Sequence, residues 1–194
     1  MLNGKVVLIT GANGGLGNAV TRAFLDAGAL VYGVARKIDA AEFPDSRFHA
    51  APVDIKSTAG AREIVSRITN TEGRLDSLIH LVGGFAGGTS VDETGESTFE
   101  QMLDVNFRAA YRLLQAVLPV MRAQRSGSIV AIGSRTAVHA VPALGAYSAS
   151  KAAMVSLLQT VALETKHDGI TANVVLPGTM DTPAIGSTTR AWVR

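Results

Sequence analysis

Four apolar residues in succession, Val6-Val7-Leu8-Ile9, lead into Thr10-Gly11-Ala12-Asn13-Gly14-Gly15-Leu16-Gly17, a turn in which four of eight residues are glycine. Past it, Leu16, Val20, Ala23, Phe24 and Ala27 recur at helical spacing. A buried strand, a glycine turn and an amphipathic helix in that order are the setting of a dinucleotide site. The demand is close approach: a pyrophosphate must reach backbone N–H groups at the positive end of a helix, and a Cβ at the contact would hold it off. Gly11, Gly15 and Gly17 meet that demand, with Asn13 and Leu16 lining the same turn. A tight strand-to-helix connection also uses glycine for its own sake, so the turn alone leaves both readings open.

The rest of the chain repeats the alternation. Apolar runs predict strands over 5–10, 29–35, 47–53, 76–82, 127–133 and 170–176, and periodicity predicts helices over 15–28, 57–70, 97–125 and 145–167. Segments 6–9 and 129–132 are apolar at successive positions, as in strands covered on both faces. Alternating strands and helices imply right-handed crossovers and a doubly wound, Rossmann-type parallel sheet with helices on both faces. No repeat, low-complexity tract or linker interrupts the chain, so residues 1–194 are expected to form one dinucleotide-binding domain. Ala61, Ile64, Val65 and Ile68 form the expected buried stripe of the second helix, with Ser57 as its cap. Pro119 is expected to kink or end the third helix, and Gly169 to end the fourth.

Composition narrows function by exclusion. Hydrophobic residues make up 47% and charged residues 18%, which is a folded chain with a core. With no cysteine, there are no disulfides, thiolate metal sites or cysteine nucleophile. The four histidines, His49, His80, His139 and His167, show no metal-ligand spacing, and no metal is expected. Net charge is only +2, without a cluster of bases and aromatics, which argues against nucleic acid as a partner. No apolar run reaches the ~18–20 residues needed to span a bilayer, and no room precedes the first strand for a signal peptide. A cytoplasmic protein is the expectation.

The chemistry gathers late in the chain. Tyr147 and Lys151 are four apart at the start of a helix and share one face. Tyrosine alone, with a pKa of about 10, is a poor acid or base at neutral pH. An ammonium at ~4 Å in an effective dielectric of ~20 offers about 4 kcal/mol toward the phenolate, enough to bring it into working range. Such a pair on an exposed helix face is also commonplace. Ser134 adds weight, because it ends the strand 127–133 at the sheet edge where doubly wound folds bind ligands. A hydroxyl there can bond a substrate carbonyl while the tyrosine delivers a proton, or it can simply close a strand-end turn.

With these residues in place, the chain resembles the short-chain dehydrogenase/reductase family over essentially its whole length. The resemblance rests on Thr10-Gly11-(three residues)-Gly15-Leu16-Gly17, on Ser134 with Tyr147-Ser148-Ala149-Ser150-Lys151, and on Asn173-Val174-Val175-Leu176-Pro177-Gly178 followed by Thr182. Asp54 closing the third strand and Asn106 in Asp104-Val105-Asn106 extend it. The resemblance implies Tyr147 as acid/base, Ser134 as the group that polarises the carbonyl, and Lys151 as the cation beside Tyr147 and the nicotinamide ribose. It further implies Asn106 at a relay water, Asp54 at adenine, and Gly83, Pro177, Gly178 and Thr182 along the cofactor. Hydride would move between nicotinamide and a small-molecule carbonyl or alcohol, in a homo-oligomer, dimer or tetramer. NADP is expected over NAD, because strand two is followed by Ala35-Arg36-Lys37, with no carboxylate to repel a 2′-phosphate; Arg36 and Lys37 can equally be solvated.

Two departures stand out. The family's Asn-Asn-Ala-Gly is replaced by His80-Leu81-Val82-Gly83, and residues 83–88, Gly-Gly-Phe-Ala-Gly-Gly, look like the corresponding loop of dihydropteridine reductases. After Gly178 only sixteen residues remain, too few for the family's substrate loop, further helix and last strand, so a C-terminal helix and strand are expected to be missing. These departures keep a rival open, a non-catalytic dinucleotide-binding sensor or subunit with the same fold. No Gly-x-Ser-x-Gly elbow supports a hydrolase. Arg135, Thr136 and His139 are candidates to line a substrate pocket whose ligand the residues do not name.

Overall fold

The computed structural model describes residues 2–180. Six strands, β1 (Val6–Thr10), β2 (Leu30–Ala35), β3 (Phe48–Pro52), β4 (Ser77–His80), β5 (Gly127–Ile132) and β6 (Ile170–Val175), form one sheet in the order β3-β2-β1-β4-β5-β6. Every pairing is parallel. The chain winds outward from β1 in one direction and then from β4 in the other. The crevice between the carboxyl ends of those two strands is the switch point where such sheets bind ligands.

Successive residues of β1 serve opposite cores, as the twofold period of a strand dictates. Val6 and Leu8 join α2 (Thr58–Glu72), α4 (Ala109–Gln124) and α5 (Gly145–Glu164) on one face. Val7 and Ile9 join Leu25 of α1 (Gly15–Asp26), with Phe43 and Phe48, on the other. Ser57 caps α2 as expected, its Oγ accepting from Gly60 N at 2.9 Å, and the stripe Ala61, Ile64, Val65, Ile68 is buried.

Three expectations change, and at Pro119 one of two alternatives, the helix end, is excluded. The helix expected over 97–125 is α3 (Glu96–Leu103), a π-turn at Asp104–Arg108, and α4. Pro119 does not end α4, which continues to Gln124 because Val117 and Met121, on either side of the proline, are buried in the core. α5 stops at Glu164, five residues before Gly169, whose φ of +70° instead serves the turn into β6. β4 is cut short at His80 because Thr10 captures the backbone beyond it: Leu81 N lies 3.2 Å and Val82 N 3.4 Å from Thr10 Oγ1. No helix among the described residues is long and apolar enough to cross a membrane.

Candidate active site

The glycine turn is held from both sides. Gly11, at φ +69°, donates its N–H to Val34 O at 2.7 Å, and Gly14 N–H bonds Gly11 O at 3.0 Å. A Cβ on Gly17 would run into Gly11 O and lie 2.8 Å from Ala12 C, so α1 can close on the turn only through glycine. No side chain caps α1 and its first turn carries no acid. The N–H groups there, from Gly15 to Gly17, are left for water or an anion at the positive helix end. That arrangement suits a pyrophosphate.

Asn13 is drawn aside: its Nδ2 donates to Lys37 O at 2.7 Å and to Glu42 Oε1 at 3.3 Å. Its side chain thus fixes the chain just past β2, where Arg36 and Lys37 stand exposed. Glu42, absent from the sequence reasoning, also takes Asp39 N–H at 3.0 Å in a capping box around the short turn Ala40–Glu42. Asp54 lies two residues past β3, exposed, its carboxylate accepting from Lys56 N at 3.0 Å.

The titratable cluster forms beyond β4 and β5. Lys151, on the first turns of α5, is 6% exposed, and its Nζ donates to Ile132 O at 2.9 Å, at the last residue of β5. Burial pulls its pKa down from 10.5 to about 8. Ser134, two residues on, is buried and caps the turn Arg135–Ala137; its Oγ accepts from Thr136 N at 3.2 Å and bonds Thr136 Oγ1 at 3.0 Å. Arg135 N–H bonds Pro177 O at 3.1 Å, which brings Pro177 and Gly178 beside that turn. Tyr147, half-buried, projects one helical turn before Lys151. Thr182 lies outside the described residues.

Asn106 sits within the π-turn and is 1% exposed. Its Oδ1 accepts from Gly84 N at 2.9 Å, and its Nδ2 donates to Gly84 O and to Ser150 Oγ, each at 3.0 Å. Ser150 Oγ passes the connection to Tyr147 O at 2.7 Å. A Cβ on Gly83 would lie 2.9 Å from Asn106 Oδ1 and 3.0 Å from Lys151 Nζ, so glycine there lets both polar groups converge on the same backbone.

Sequence reasoning missed the Thr10–His80 pair, Ser150, and the ring of Phe85. Thr10 and His80 are register partners on β1 and β4, and His80 Nδ1 lies 2.9 Å from Thr10 Oγ1. Ser150 was visible only as a small polar residue one before Lys151. Among the described residues, no cluster of three His, Asp or Glu side chains could hold a metal ion.

An uncapped helix at a glycine turn, with a Ser, Tyr and Lys on the same sheet edge, defines a Rossmann-type protein with a dinucleotide crevice. A family model of short chain dehydrogenases matches residues 5–192, and the chain belongs to that family of oxidoreductases. Short-chain dehydrogenase/reductase olcF of Penicillium canescens is 34% identical over 193 residues, 96% of this chain and 73% of that one. The 2,3-dihydro-2,3-dihydroxybenzoate dehydrogenase of Escherichia coli (strain K12) is 34% identical over 180 residues, 93% of this chain and 71% of that one. Among solved structures, ElxO with NADP bound superposes at a TM-score of 0.91 with 27% identity, covering 96% of this chain and 78% of that one. NAD+-bound xylitol dehydrogenase does so at 0.88 with 27% identity, covering 95% and 74%.

Proposed function

We propose that this protein is an NADP-dependent reductase of ketones or aldehydes, or the dehydrogenase of the corresponding alcohols, with Tyr147 as its acid/base. The observation that carries the reading is Lys151, a buried cation whose Nζ reaches the end of β5 two residues before Ser134. The nicotinamide would supply or accept the hydride, since no side chain can. Tyr147 would give its hydroxyl proton to the carbonyl oxygen, and the tyrosinate left behind is favoured by the ammonium one turn along the helix. Ser134 would bond the same oxygen once its hydroxyl turns from Thr136. Asn106 holds the Gly84 backbone and Ser150 against this group, with one lone pair of Oδ1 spare for a relay water. Residues 1–194 would act as one cytoplasmic, oligomer-forming unit that takes small molecules, not nucleic acid or membrane.

NADP is preferred because Arg36 and Lys37 stand exposed past β2 and neither is paired with a carboxylate among the described residues. A charge-assisted bond from Arg36 to a 2′-phosphate, at the weak end of its range for an exposed group, is worth about tenfold in affinity. The bound cofactors of ElxO and xylitol dehydrogenase support both dinucleotides as candidates.

The test is Tyr147→Phe assayed beside wild type, with NADPH and NADH titrated into both proteins. Turnover should fall by about 100-fold or more, the usual scale for a positioned acid, while NADPH affinity holds and exceeds that for NADH. Near-normal turnover in the variant would remove Tyr147 from the reaction; tighter NADH would reverse the cofactor assignment.

A further inference from the structure

The proton chemistry of Tyr147 sets no limit on the groups flanking the substrate carbonyl, but the ring placed against Tyr147 does. Phe85 meets it edge-on, with centroids 5.0 Å apart and planes at 69°. Phe85 is nevertheless 54% exposed, a large apolar side chain left open to solvent beside the ring of Tyr147. Its backbone is anchored on both sides. Gly84 exchanges two hydrogen bonds with Asn106, at 2.9 and 3.0 Å, and Gly88 N–H bonds Ala143 O at 2.9 Å, just ahead of α5. The ring is thus presented on a tethered loop.

The surroundings share this character. Val91 reaches the start of α5, where a Cβ on Gly145 would lie 2.9 Å from its Cγ2. Val138 and Val141, between Ser134 and Tyr147 in the chain, are exposed as well. Apart from Lys151, the cation of this segment is Arg135, which lies against the stretch that follows β6, its Cδ 3.7 Å from where Gly178 would carry a Cβ.

We infer that Phe85 is a specificity-determining residue that forms an aromatic wall of the substrate site and selects carbonyl compounds bearing an aryl or other flat conjugated group. This rests on the oxidoreductase reading and names its substrate class. An aromatic pair contributes beyond its buried area, and it does so through ring faces and edges that an aliphatic side chain of equal bulk lacks.

The experiment compares acetophenone, an aryl ketone, with diacetyl, a small dicarbonyl, using NADPH. The acetophenone-to-diacetyl ratio of kcat/KM should fall about tenfold in Phe85→Ala and in Phe85→Leu, and should be retained in Phe85→Trp. A ratio unmoved in Phe85→Ala means the ring faces something other than substrate and overturns the inference. A ratio kept by Phe85→Leu means bulk alone is read, and overturns it too. Calorimetric binding of acetophenone to the NADP+-loaded protein supplies a readout apart from turnover, and Phe85→Ala should weaken it about tenfold. Binding weakened in this way with neither ketone reduced by wild type would leave the wall standing and sink the oxidoreductase reading instead.

Discussion

At position 80 a histidine occupies the end of β4 where an uncharged polar side chain would be easier to bury. Thr10 Oγ1 already takes the N–H groups of Leu81 and Val82, so its own proton is best given to His80 Nδ1 at 2.9 Å. That leaves Nε2 carrying the ring proton with no partner among the described residues. The His80 side chain helps line a cavity of about 10 Å³, with Leu78, Ala110, Leu114, Ile129, Ala131 and Leu158. Burial, reinforced by the Lys151 charge, pushes its pKa from 6.5 down to about 3. Between those values the unfolded chain binds a proton that the folded one refuses. Stability therefore rises with pH across the window and is lost as pH falls below 6.5, by about 1.4 kcal/mol per unit. Urea unfolding of wild type and His80→Gln from pH 7 to 4.5 isolates this contribution from the carboxylates both share. The difference between the two should move in favour of the variant at about that slope below pH 6.5. Parallel curves would show that His80 does not drive the acid sensitivity.

At the scale of elements, what could be anticipated followed from periodicity. The strands, the stripe of α2 and its Ser57 cap needed only local pattern, and Ser134, Tyr147 and Lys151 reach one sheet edge because the topology puts them there. What escaped depended on contacts distant in sequence. The π-turn at Asp104–Arg108 has no local signature; Asn106 is turned inward there because Gly84, twenty-two residues earlier, requires its amide. Phe85 against Tyr147 is likewise a meeting across sixty-two residues that spacing could not suggest. The π-turn and residues 83–88 thus behave as one unit, with Asn106 as its tie. Asn106→Ala removes its bonds to Gly84 and Ser150 and leaves the N–H and C=O of Gly84 without their partner, while Ser150 keeps its bond to Tyr147 O; this should cost about 2–3 kcal/mol in urea unfolding. Amide exchange should quicken across 83–88, while the interior of α4, held by Leu113, Val117 and Met121, keeps its protection. Unchanged exchange in 83–88 would mean the loop is held without that side chain.

Across the whole molecule the sheet is covered unequally. Among the described residues α2, α4 and α5 pack one face, whereas α1 is the only helix on the other. Helix α1 packs on β1 and β2, so among the described residues no helix covers the far end of its face, on β5 and β6. Ile132 and Val175 are register partners there, and Val175 is 51% exposed. β6 is also an edge strand, with no neighbour beyond it among the described strands. An exposed valine on a strand that is unpaired among the described residues favours association with another chain. Oligomers, implied by the family resemblance, are therefore expected to use this corner. A lysine at such an edge is a common means of blocking it. Val175→Lys should shift the sedimentation profile from multiples of 20.2 kDa toward the single chain. Burying the exposed half of Val175 is worth about 1 kcal/mol, and a twofold-symmetric contact counts it twice, so dissociation should strengthen roughly 30-fold. A wild type that sediments at 20.2 kDa at every concentration, or a variant with an unchanged profile, would place the contact elsewhere or remove it.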